Sequence, residues 1–106
     1  MRFPNFPILS LRLTPRQRIG WLEAGLPAAQ RLKDRRGEAM ILGNLCHRLT
    51  HLGDLDGAEA RVKSAIEIGK ALDDRPSLAK RYGNLGSVYM EQENYEDAEA
   101  AYTSAH

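Results

Sequence analysis

At 106 residues and a formal net charge of +1, the chain is about one domain long and has no acidic or basic excess, which argues against nucleic acid and anionic membrane surfaces as partners. Hydrophobic residues reach 42% while aromatics are 7%, and Ala, Leu, Glu, Arg and Lys abound over β-branched residues, so helices rather than strands are expected. A single cysteine, Cys46, excludes an internal disulfide and any cysteine-pair metal or redox motif, and it fits a reducing, cytoplasmic setting.

Residues 1–13 have an apolar flavour, but Pro4 and Pro7 interrupt them, Arg12 closes them, and no small-residue cleavage site follows. They read as an irregular N-terminal segment rather than a signal peptide. No apolar run approaches the roughly 20 residues of a spanning helix, so no membrane association is expected.

From Thr14, an N-cap residue, and Pro15 in the first helical turn, a helix is predicted to about Lys33. Gly25 and Pro27 should kink or break it, because proline removes a backbone donor and crowds the preceding turn. Trp21 and Leu22 read as core residues. This stretch, 14–33, has the register of the second helix of a hairpin whose first helix is missing.

The next segment, 34–73, is a complete helical hairpin. Leu42, Leu45, Cys46 and Leu49 recur at three- and four-residue steps, and Gly53-Asp54 supplies a turn. Leu55, Ala58, Val62, Ala65, Ile66 and Leu72 then form the stripe of a second helix. Asp74 can cap the helix that follows, and Pro76 suits its first turn.

Shifting the sequence by forty residues superimposes it on itself. Asp34-Arg35 returns as Asp74-Arg75, Ala39 as Ala79, Gly43-Asn44-Leu45 as Gly83-Asn84-Leu85, Ala58-Glu59-Ala60 as Ala98-Glu99-Ala100, and Ser64-Ala65 as Ser104-Ala105, eleven identities over 33 ungapped pairs. Residues 74–106 are therefore a second copy, with a turn near Glu93-Asn94 and a stripe of Tyr95, Ala98, Tyr102 and Ala105. The final helix stops short of its counterpart, so the array reads as cut at both ends. Cys46, Gly86, Ala58, Ala98, Ala65 and Ala105 are small where close helix packing needs small residues. The fold class is all-α, an α-solenoid of antiparallel helical hairpins with about five helices.

The run Gly83-Asn84-Leu85-Gly86-Ser87-Val88-Tyr89, followed by Asn94-Tyr95-Glu96-Asp97-Ala98, Tyr102 and Ala105, resembles the tetratricopeptide repeat. A period of forty, Asp-Arg between units and a Gly-Asn-Leu-Gly core are similar to the long-helix subclass of kinesin light chains, Leu-Gly-Asn-rich polarity adaptors and bacterial arrays attached to signalling ATPases. Cys46, Leu49, Leu55 and Glu93 depart from the family pattern. The resemblance implies a right-handed superhelix whose first helices line a concave groove, and a protein or peptide partner lying in that groove.

By helical spacing the groove positions are Met40, Asn44, His47, Thr50 and His51 in one unit, and Lys80, Asn84, Ser87, Met90 and Glu91 in the next. Asn44 and Asn84 lead, since a side-chain amide offers both donors and acceptor to the backbone of an extended peptide. The plain alternative is that each amide bonds a neighbouring helix or water, and that His47, His51, Lys80, Ser87 and Glu91 are solvated. His47 and His51 are four apart, a spacing at which two imidazoles reach one metal, but without a third ligand they read as ordinary groove histidines, with no metal and no cofactor. Cys46 reads as packing rather than a nucleophile. The basic cluster Arg31, Lys33, Arg35 and Arg36 reads as a solvated turn because Asp34 and Glu38 interleave with it. No phosphate loop, paired-carboxylate set or nucleophile elbow occurs, so no enzyme is expected. Terminal repeats normally need a polar outer face and arrays about three repeats, so a homo-oligomer formed through uncapped terminal helices is the second expectation.

Overall fold

The computed structural model describes residues 14–105, so the expectation for 1–13 lies outside the described residues. Five helices follow in order: α1 Pro15–Arg31, α2 Arg35–Leu52, α3 Leu55–Leu72, α4 Arg75–Glu91 and α5 Tyr95–Ser104. No strand occurs among the described residues. Each helix packs on its neighbour in sequence, and α2 also touches α4. That pattern, in which a hairpin contacts only the adjacent hairpin, is the solenoid arrangement. Among the described residues no helix is long and apolar enough to cross a membrane.

The joints between helices share one design. Lys33, Gly53, Asp73 and Glu93 have φ of 57°, 93°, 52° and 61°, the left-handed conformation that ends a helix. The residue after each, Asp34, Asp54, Asp74 or Asn94, donates its backbone N–H to the carbonyl five residues back, on Ala29, Leu49, Gly69 and Tyr89 respectively. Three of these residues then cap the next helix, as the Asp34, Asp54 and Asp74 carboxylates accept the amides of Gly37, Gly57 and Ser77. Asn94 occupies the same backbone conformation but turns its amide to the Asp97 carboxylate at 2.6 Å. The structural step is therefore one helix plus one joint, and the forty-residue repeat contains two such steps. Three of the four left-handed residues carry a Cβ, a conformation that costs each about 1–2 kcal/mol.

The core is built from small and aliphatic side chains. Leu45, Cys46 and Leu49 of α2 meet Ala58, Val62 and Ile66 of α3 and Leu85 and Val88 of α4, and Ile19 and Ala101 close the cluster at either end. A second cluster joins Ala39 and Leu42 of α2 to Ala65 and Ile68 of α3. Ala58 and Ala65 are fully buried, which fits their expected role of letting paired helices approach. Ile68 and Ala101 belong to the core although the expected stripes passed them by, whereas Leu72 and Tyr102 lie at its edge and are partly exposed.

Two expectations for the first helix are corrected, namely that it breaks at Gly25 and Pro27 and that Trp21 is a core residue. Pro27 lies inside α1, yet the helix runs on to Arg31. Packing holds it on both sides of the proline, through Ile19, Leu22 and Leu26 against the core and Ala29 beyond, and this outweighs one missing hydrogen bond. Gly25 lies close to α2, where a Cβ would stand 3.2 Å from the Ile41 side chain. Trp21 is 73% exposed, because it sits two residues from buried Ile19 and so faces away from α2. Thr14 caps α1 as expected, and Gln17 completes a reciprocal capping box.

Candidate groove between the first helices

Because α2 and α4 begin forty residues apart and lie side by side, equal positions of the two units present themselves together. Asn44 and His47 of α2 and Lys80, Asn84 and Ser87 of α4 line one recess of about 480 Å³. Five of the seven expected site residues are thus brought together. His51 and Glu91 are exposed one helical turn beyond His47 and Ser87. Met40 lines an adjoining recess of about 290 Å³ that shares Lys80 with the first. Met90 is a correction: it faces the α4–α5 side, beside Tyr95 and Tyr102. Thr50 is half-buried on α2, where its hydroxyl donates to the Cys46 carbonyl at 2.7 Å.

The side chains of the recess differ in how fully they are engaged. The Ser87 hydroxyl lies 3.2 Å from the Gly83 carbonyl and 3.3 Å from the Tyr102 hydroxyl. The Asn44 and Asn84 amides line the recess, and no hydrogen bond joins either to another side chain or to the backbone among the described residues. The alternative in which each amide bonds a neighbouring helix therefore finds no support in the contacts.

Sequence reasoning missed Arg81. Its guanidinium packs flat against Gly43, where any Cβ would collide with it, and it lines both recesses. Its Nε is buried and has no hydrogen-bond partner. Burial holds the guanidinium below the ordinary arginine range, and the carboxylate of Asp74 only partly offsets this. Asp74 is itself engaged in capping α4. A signal was present in the repeat: Arg81 stands where the first unit has Ile41, so a charge occupies a position that its counterpart uses for packing.

Cys46 lies behind this surface, 1% exposed. Burial raises its thiol to about 11, although the Thr50 hydroxyl and Arg81 pull the other way. It is a protonated packing residue with no nucleophilic character at neutral pH. His47 is held below the ordinary histidine range by desolvation first, then by His51 and Arg48. In the N-terminal basic cluster, Arg35 pairs with Glu38 at 2.8 Å, and Arg36 reaches the second recess.

At the other end of the array, Tyr95 is 59% and Tyr102 39% exposed around a recess of about 400 Å³. Their counterparts Leu55 and Val62 lie under α4 in the first unit. Among the described residues nothing covers this second face.

No curated protein and no solved structure matches the chain. The family model of the tetratricopeptide repeat matches residues 37–106, a span that takes in nearly all of α2, the whole of α4 and most of the repeated region. With two helical hairpins stacked at a forty-residue step and a model match over more than half its length, the chain belongs to the tetratricopeptide-repeat family.

Proposed function

We propose that this chain is a protein-interaction module that holds an extended, carboxylate-bearing peptide of a partner protein in the recess between α2 and α4. Tetratricopeptide repeats are in general non-catalytic modules that bind proteins; the finer reading rests on Arg81. A buried guanidinium nitrogen without a partner is costly, and a carboxylate of a bound peptide supplies a planar acceptor that suits the guanidinium fork. Lys80 adds a second cation, and Asn44 and Asn84 offer amides to the peptide backbone regardless of its sequence. The forty-residue step supports the long-helix subclass.

The test uses a peptide selected against the chain from a displayed library rich in Asp and Glu. The Asn44→Ala, Asn84→Ala double variant should keep its unfolding midpoint, since neither amide supports the fold, while affinity falls by about tenfold or more. Unchanged affinity removes the groove from the account.

The uncovered α4–α5 face favours a second reading, self-association of this chain through Tyr95 and Tyr102. Light scattering at tens of micromolar should show a mass above the monomer that a Tyr95→Lys, Tyr102→Lys variant returns to one chain. A monomeric mass for the unaltered protein ends that reading.

A further inference from the structure

The two ends of the chain carry opposite charge. Residues 1–22 contain Arg2, Arg12, Arg16 and Arg18 and no Asp or Glu. Residues 91–106 contain Glu91, Glu93, Glu96, Asp97 and Glu99 and no Lys or Arg. Departures from the repeat place some of these charges on the outward faces. Arg18 stands forty residues before Ala58, which is fully buried in α3, so α1 bears an exposed cation where α3 has a packing methyl. Exposed Trp21 lies three residues on and shares that face. On α5, Glu99 is the copy of Glu59, whose carboxylate pairs with Lys63 at 2.7 Å and accepts from the Gln92 amide at 3.2 Å. Thr103 stands where that lysine would be, and among the described residues no cation pairs with Glu99. Glu99 lines the recess of Tyr95 and Tyr102.

We propose that copies of this chain associate head to tail, the outward face of α1 in one seating on the outward face of α5 in the next. The repeat supplies the register. Within the chain, the second helices of neighbouring units touch through Arg61 of α3 and Glu23 of α1 at 2.9 Å. Trp21 precedes Arg61 by forty residues and Thr103 follows Glu23 by eighty, so the same step between two copies sets Trp21 beside Thr103 at the tyrosine recess. One turn earlier on each helix it brings Arg18 toward Glu99. Tryptophan is a favoured anchor at the centre of an interface, and the opposite charges steer the two ends together. A two-fold pairing of α5 with α5 would instead set Glu99 and its acidic neighbours against their own copies. This geometry rests on self-association through the α4–α5 face and adds the surface that the face meets.

Two variants of the full chain test it, Arg18→Glu, Trp21→Glu at the head and Tyr95→Lys, Glu99→Lys at the tail. All four side chains are exposed, so both variants should keep the helical circular dichroism of the unaltered protein. By light scattering at tens of micromolar, each variant alone should give the mass of one chain. Mixed in equal amounts they should return to two chains or more, because the intact tail of one meets the intact head of the other. Association that persists in the head variant, or a mixture that stays monomeric, overturns the head-to-tail geometry and leaves self-association standing. A monomeric mass for the unaltered chain removes both.

Discussion

Replacing Leu45 with alanine is expected to destabilise the protein by about 3 kcal/mol, within the range for emptying a fully buried leucine site. Leu45 is 0% exposed and belongs to the cluster that contains Val62 of α3 and both Leu85 and Val88 of α4. Its truncation therefore opens a void where three helices meet, and none can close it without losing contact with another. Stabilities run at about 0.05–0.15 kcal/mol per residue, so a chain of this size has only about 5–16 kcal/mol in reserve. Urea denaturation followed by helical circular dichroism should show the midpoint falling by about a fifth or more. Exposed Met40→Ala, the control, should change stability by less than about 0.5 kcal/mol. A Leu45→Ala loss as small as the control's would mean that the hairpins do not share this core.

Arg81→Met should move stability and binding in opposite directions. The substitution keeps a long flexible side chain against Gly43 but removes a buried, unpartnered nitrogen and its charge. Exchange of a buried charge for an apolar side chain of similar volume is often stabilising by about 1–4 kcal/mol, and the partly open site places Arg81 at the low end, about 1 kcal/mol. The same change should reduce affinity for an acidic peptide by about tenfold or more, since the charge and the guanidinium fork both go. Arg81→Lys should retain part of the affinity at low salt and lose it as ionic strength rises. Thermal unfolding and peptide titration on the same samples decide the matter. A variant that is both less stable and still fully binding would show that Arg81 is a structural residue.

Much of the fold was legible because it depends on short-range rules. Asp34 and Asp74, forty apart, each followed by Arg, announced the repeat, and Thr14 followed by Pro15 announced a helix start. Those signals act within one turn, where a side-chain acceptor and a backbone amide are neighbours by geometry. Trp21 was misjudged because α1 carries large apolar residues on more than one face, and only packing against α2 selects Ile19, Leu22 and Leu26. A break at Pro27 was expected wrongly for a related reason, since local propensity cannot count contacts made with another helix. In the groove, the alignment of Asn44 with Asn84 followed from the period, but the approach of Arg81 to Gly43 depends on the distance between α2 and α4. The His47–His51 spacing was visible, whereas the edge-to-face meeting of the two rings lies in side-chain torsions that no residue pattern records.

The identity of the four joints has a consequence for how such an array can change length. The joints share one backbone geometry and the helices between them have 17 or 18 residues, so excision of a single helix with its joint would leave every remaining connection of the same form. It would also reverse parity: every helix downstream would trade the inner row for the outer, and Asn84 would come to rest on the back of the molecule, opposite Asn44. Gain or loss by pairs leaves the frame of the inner row undisturbed. The connector thus tolerates a twenty-residue edit that the recess between α2 and α4 does not.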